Sequence, residues 1–262
     1  MSTNAMHVAR TGLDAQQTRM QVIANNLANV NTTGFKRDRA NFETLLYQTH
    51  RPAGAQTSEN TALTSPLAVG TGVRVVATEK VHSQGGLTMT GNAFDVAIDG
   101  QGFLQILMPD GRIGYTRDGS LSRNAEGMLT TDSGYVLQPE IQVPEGTLSL
   151  VVSADGIVSA TLPGEVEPQE LGQITLAVFP NPRGLEPLGE NLLAESPASG
   201  APAVGAPMAD GAGKLVQGAL EASNVNVVQE LVDMIETQRA YEISSRSISA
   251  SDEMLRYLTN KL

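Results

Sequence analysis

Met6 to Val30 reads MHVARTGLDAQQTRMQVIANNLANV. Met6, Leu13, Met20 and Leu27 recur every seven residues, and Ala9, Gln16, Ile23 and Val30 follow each of them by three. On a helix that spacing sets two columns side by side, the seam of a coiled coil, with Gln16 its one polar member. Thr32-Thr33-Gly34 supplies turn chemistry, so the helix is predicted to stop near Val30.

The other end of the chain repeats the pattern. Leu220, Val227, Met234, Tyr241, Ile248, Leu255 and Leu262 also lie seven apart, although the companion column is mostly polar. Val228, Leu231, Val232 and Ile235 widen the apolar face in the first half, while Ser244, Ser245, Ser247, Ser249 and Ser251 make the second half small and polar. A helix over about 226–259 is predicted, capped near Ser223 or Asn224.

Between these ends the period falls to two. Turn dipeptides recur at Asp99-Gly100, Asp110-Gly111, Asp118-Gly119, Glu126-Gly127 and Asp155-Gly156. Short antiparallel strands follow from that spacing, with candidates at 95–98, 103–107, 113–116, 135–137, 148–152 and 174–179. Two stretches read as extended connectors: His50 to Val69, rich in Pro, Ser, Thr and Ala, and Ser196 to Gly213, with Pro197, Pro202 and Pro207.

Composition narrows the function. Among 262 residues there are 26 Gly and 13 Pro but no Cys and no Trp, so disulfides, thiolate chemistry and cysteine metal sites are excluded. The net charge of -11 argues against nucleic acid or an anionic membrane surface as the partner. That excess sits in the middle, where residues 51–220 carry eight Lys/Arg against eighteen Asp/Glu. No secretory leader and no membrane-spanning run is expected. His7, His50 and His82 are scattered, and the Asp-Gly pairs need only turn chemistry, so no catalytic set, metal site or cofactor site is expected. Gly70-Thr71-Gly72 and Gly100-Gln101-Gly102 lack the rest of a nucleotide-binding loop.

The expected fold class is α+β. Long N- and C-terminal helices pair as a coiled coil (residues 1–32 and 221–262), joined through an extended β-rich arm (33–85) to a central antiparallel all-β domain (86–195) and a Pro/Gly-rich connector (196–220). Helices with apolar stripes at opposite chain ends must bury them, and pairing the two is the economical solution. A pair covers one face of each, so Val228, Leu231 and Ile235 call for neighbours from other chains, and contacts of that kind that do not close give filaments. The alternative is an ordinary α+β protein whose helices fold back on the β-domain.

Specific residues favour assembly. Gly12-Leu13-Asp14-Ala15-Gln16-Gln17, Ala24-Asn25-Asn26-Leu27-Ala28-Asn29 and Thr33-Gly34-Phe35-Lys36 resemble the N-terminal signature of the flagellar rod and hook protein family. Glu221-Ala222-Ser223-Asn224-Val225-Asn226-Val227, with Glu230-Leu231 and Gln238-Arg239-Ala240-Tyr241-Glu242, is similar to its C-terminal signature. Val96 to Phe103 and Tyr115-Thr116-Arg117-Asp118-Gly119 resemble the family's β-domain, and residues 46–73 look like the stretch marking its distal-rod branch.

The resemblance implies a non-enzymatic subunit of the distal rod, a straight, rigid drive shaft that carries motor torque to the hook. It further implies export without a cleaved signal through the flagellar type III apparatus, and a basal-body location spanning periplasm to outer membrane. The implied partners are the chain itself, the proximal-rod and hook proteins, and the P- and L-ring proteins. Phe42 and Leu46 fit the Phe-x-x-x-apolar pattern associated with docking at the export gate, or else form one inward-packing helical face. Asn25, Asn26 and Asn29, poor helix formers, imply side-chain hydrogen bonds at a subunit contact. A hook or proximal-rod subunit is the nearest rival. A periplasmic β-domain that binds or cleaves glycan is the rival from another class.

Overall fold

The computed structural model describes residues 2–53, 56–58, 61–62, 64–164 and 167–259. Two long helices, α1 (Ser2–Ala28) and α2 (Val227–Thr259), bracket short antiparallel strands in an α+β arrangement. The chain divides into two compact units. One comprises Met1–Leu27, Asp38–Glu79 and Val227–Leu262, and the other Ala28–Arg37 and Lys80–Asn226.

In the first unit the two helices are joined by a β-arm. Strand Asp38–Thr44 pairs with Val73–Lys80, and Tyr47–Arg51 pairs with Leu67–Gly70, setting Tyr47 opposite Gly70 and Gln48 opposite Val69. The stretch 50–69, expected as an irregular connector, is therefore partly a ladder. Its Thr and Val residues favour extended backbone, and Pro52 and Pro66, with no N–H to donate, fall outside the paired residues. The N-terminal half of α1 is tied to this arm: Thr11 Oγ1 accepts the Val73 N–H at 3.4 Å and His7 Nδ1 lies 3.2 Å from the Thr71 carbonyl.

The second unit is built around strand Phe103–Leu107. One edge pairs with Ile113–Thr116, Leu104 facing Thr116 across a hairpin that turns at Asp110-Gly111. The other edge is shared by two strands, Val136–Gln138 at one end and Leu176–Val178 at the other. The resulting sheet has nine strands, beside a separate three-stranded meander of Ser149–Val152, Ile157–Thr161 and Gln169–Gln173. The stretch 196–213 is not wholly a connector either. Ala203–Gly205 pairs with Leu176–Val178, again with prolines at 202 and 207 just outside the pairing.

Alternation along Phe103–Leu107 divides the core. Leu104 and Ile106 join Val96, Ile98, Leu137 and Leu176 in one buried cluster. Phe103 joins Tyr115, Phe179 and Leu193 in another. Each buried Leu or Ile contributes about 1.5–3 kcal/mol, and Gln105, buried between Leu104 and Ile106 in sequence, gives its amide to Thr175 Oγ1 at 3.2 Å. Backbone packs on backbone where Gly119 meets Val96: a Cβ at Gly119 would sit 1.7 Å from the Val96 carbonyl oxygen. Gly119→Ala is expected to lower stability by about 3 kcal/mol or more, read as a shift in urea midpoint without a change in slope.

His82 sets its ring edge to Phe103, centroids 5.7 Å apart. Burial, and then the positive charges of Lys36 and Arg117, push its pKa down from 6.5 to about 4. Between those values the unfolded chain binds a proton that the folded chain refuses, so stability falls as pH drops from 6.5 to 4 and this contribution levels off below. His82→Gln is expected to remove about 3 kcal/mol of that acid sensitivity. Urea midpoints of both proteins at several pH values check it, the difference between the two isolating His82 from the carboxylates.

Candidate functional site

The predicted columns of α1 are covered to different degrees. Ile23 is buried, and Met6, Leu13, Met20, Leu27 and Val30 are half-buried. Ala15, outside the predicted columns, is buried as well. Facing residues show that the helices run antiparallel. Gly12 lies against the Ser244 hydroxyl, Arg19 pairs with Asp233 at 3.5 Å, and Asn26 donates to Glu230 at 3.3 Å.

On α2 the inward column is not the apolar one. Glu230 and Thr237 are buried at 3% and 0% exposure, and Ser244 and Ser251 behind them are half-buried. These four residues, seven apart, are the companion column that sequence reasoning set aside as polar. Small and hydrogen-bonded side chains serve here because α1 presents Gly12, Arg19 and Asn26, not large apolar groups, at the matching levels. Thr237 returns its hydroxyl to the Asp233 carbonyl at 2.6 Å, which lets it be buried without a stranded donor. Met234 and Ile248 are half-buried, whereas Val227, Tyr241, Leu231 and Ile235 are 39–51% exposed and Val228 71%. Leu262 and the side chain of Leu255 lie outside the described residues.

The first unit therefore displays apolar surface on two elements. Besides the α2 row, Leu46, Tyr47, Leu67, Val69 and Val76 of the arm are exposed. A groove of about 1190 Å³ opens among Val8 and Ala9 of α1, Leu67 and Val69 of the arm and Ile243 of α2. Contiguous apolar surface of this kind marks a contact face. Phe42 lies on strand Asp38–Thr44, not on a helix. With Phe42 41% and Leu46 87% exposed, the inward-packing helical face is ruled out for this pair.

The signature residues have internal tasks. Asn26 is buried; its Oδ1 accepts the Asp38 N–H at 2.8 Å and its Nδ2 donates to the Asp38 carbonyl at 2.9 Å. Asn25 donates to the Asp38 carboxylate at 3.3 Å, and Asn29 Oδ1 accepts from the Thr32 hydroxyl at 3.2 Å. Asn26 thus makes these hydrogen bonds within the chain, while Ala24, Asn25 and Ala28 are exposed.

In the second unit, Thr33-Gly34-Phe35-Lys36 meets the C-terminal signature. Glu221 accepts from Lys36 Nζ at 2.5 Å, Arg117 at 3.1 Å and the Gly85 N–H at 2.8 Å. All three charged residues are at least nine-tenths buried. Burial draws the pKa values of Lys36 and Arg117 down, and the Glu221 carboxylate opposes the fall. Removing one partner from such a buried set costs about 3–5 kcal/mol, because the remaining charges stay buried without compensation. Gly34 has φ 67°, and a Cβ there would come 2.7 Å from the Arg117 and Asp118 backbone. Phe35 is buried beneath the Lys80 ammonium, 5.0 Å from its ring centroid. The sequence signal was present in the quoted segments, but nothing in it says that Lys36, Arg117 and Glu221 converge.

Among the described residues, no group of three or more His, Asp or Glu could hold a metal ion, and no helix is long and apolar enough to cross a membrane. What the arrangement offers is contact area.

Three family models match the chain. Residues 6–36 match "Flagella basal body rod protein", 97–160 "Flagellar hook protein FlgE/F/G D1 domain", and 216–262 "Flagellar basal body rod FlgEFG protein C-terminal". The flagellar basal-body rod protein FlgG of Buchnera aphidicola subsp. Schizaphis graminum is 54% identical over 97% of this chain and 98% of its own length. Within Caulobacter vibrioides, the rod protein FlgG is 44% identical over 96% of this chain and 97% of its own, and the rod protein FlgF 32% identical over 99% and 98%. With both covered nearly end to end, the higher identity favours the FlgG branch, and the chain belongs to the FlgG family of flagellar basal-body rod proteins.

Proposed function

We propose that this structural subunit of the flagellar distal rod works without catalysis, by polymerising into a straight, rigid tube through its terminal helices. The single observation that carries the reading is the exposed apolar row on α2, Val228, Leu231 and Ile235, left over after the chain has turned Glu230 and Thr237 inward. Water opposes such a row on an isolated helix, and a neighbouring copy offers it a place to be buried. In the polymer α1 and α2 pair as a coiled coil at the inner tube, a pairing supported by the levels at Gly12, Arg19 and Asn26, which step by seven. The arm strands stiffen the next layer, and a central antiparallel β-domain faces outward. The matched family descriptions name hook and rod proteins, which supports contacts with proximal-rod and hook subunits at the two ends.

The same reading places the subunit across the periplasm to the outer membrane, inside the P and L rings. The acidic middle of the chain there gives a solvated, mutually repelling surface suited to rotation. Export proceeds through the type III apparatus without a cleaved signal, with the exposed Phe42 and Leu46 engaging the gate.

Electron microscopy of the full-length chain at rising concentration is expected to show straight tubes, and a version lacking residues 1–30 none. Val228→Ser, Leu231→Ser and Ile235→Ser together are expected to change monomer stability by less than about 0.5 kcal/mol per site, yet to raise the concentration needed for tubes by roughly tenfold or more. Tubes forming equally well from that triple variant would remove the α2 face from the interface.

A further inference from the structure

We propose that residues 33–37 and 219–224 form a clasp that closes as one, so that the N-terminal segment stays undocked until the C-terminal segment has arrived. The observation is a division of hydrogen bonds. Within the second unit, the Gly34 N–H goes to the Glu221 carbonyl at 2.7 Å, and the Phe35 carbonyl accepts the Asn224 N–H at 3.4 Å. The Arg37 N–H goes to Asn224 Oδ1 at 2.7 Å, and Lys36 meets the Glu221 carboxylate.

Two further holds on the N-terminal segment are bridged by the same residues, whereas the Asn191 amide donates to the Thr33 carbonyl at 3.1 Å and Lys80 Nζ to the Lys36 carbonyl at 3.5 Å without them. The Arg37 carbonyl accepts from Val81 at 2.9 Å and Lys36 donates to the Ser83 carbonyl at 2.9 Å. Asn224 Nδ2 in turn donates to the carbonyls of Val81 and Ser83, at 2.7 and 3.0 Å. Asn224 thus bonds both to Arg37 and to the segment 81–83.

Charge makes the docking conditional. Without Glu221, seating Lys36 would bury an ammonium beside the Arg117 guanidinium with only carbonyl acceptors, two like charges and no carboxylate. Arg117 can wait, since its other nitrogen donates to the Gly100 carbonyl at 2.6 Å. Lys36 would have only the Ser83 carbonyl to set against the loss of water around its ammonium. Positions 36 and 221 are 185 residues apart in sequence, so a chain that has delivered only its N-terminal portion cannot complete this set. The clasp makes docking of the segment that follows α1 in sequence contingent on arrival of the segment that precedes α2, a check on completeness within one chain. It holds whether or not the chain polymerises.

Amide exchange by NMR on the full-length dilute protein tests it, comparing Glu221→Gln and Asn224→Ala with the unsubstituted chain. The informative amides are Gly34, whose acceptor is the Glu221 backbone carbonyl, and Val81, whose acceptor is the Arg37 carbonyl, because neither substitution deletes those bonds. Both amides are expected to exchange roughly tenfold faster or more in each variant, while Ile106 and Leu176 keep their protection. Unchanged exchange at Gly34 and Val81 overturns the proposal, since the N-terminal segment would then dock by itself. Equal loss of protection at Ile106 and Leu176 in the milder Asn224→Ala overturns it as well, since these groups would then hold the whole unit.

Discussion

A carboxylate leaves water only if everything it needs arrives with it, and the Glu221 site obeys that constraint by drawing on distant parts of the chain. Lys36 comes from the N-terminal segment, Arg117 from the turn after a central strand, and the Gly85 N–H from the stretch before strand Leu87–Met89. That strand then pairs with Ala219–Glu221, so the backbone ladder and the ion cluster fix the same register. Glu221 sets a Lys36 beside an Arg117 that would otherwise repel it, and Gly34 is obliged to be glycine by the close approach this demands.

The first unit follows a different economy. Its helices face each other with Gly12, Asn26, Glu230, Thr237 and Ser244, groups that satisfy one another or take little room, and although α1 buries Ile23, α2 turns Val228, Leu231 and Ile235 outward. A monomer optimised for its own stability would do the reverse. On the proposed function, that exposed apolar area is what neighbouring copies would cover.

Much of this was legible. The seven-residue columns located both helices, to within two residues of Ala28 at one end and one residue of Val227 at the other. The Asp-Gly turns located the central hairpin between Leu107 and Ile113. The ladders inside 50–69 and 196–213 were hidden because prolines and small residues read locally as connector, and only a partner strand makes the residues between the prolines extended.

By itself the sequence determined element types, the absence of thiol chemistry, the acidic middle and the signatures of a rod family, because each is carried by residues close together in the chain. Only the tertiary structure decided which column of α2 turns inward, that the hydrogen bonds of Asn26 are made inside the chain, and that Lys36, Arg117 and Glu221 share one buried site. Those outcomes depend on pairings across many tens of residues, for which desolvation and hydrogen-bond satisfaction set the terms and spacing along the chain carries no signal.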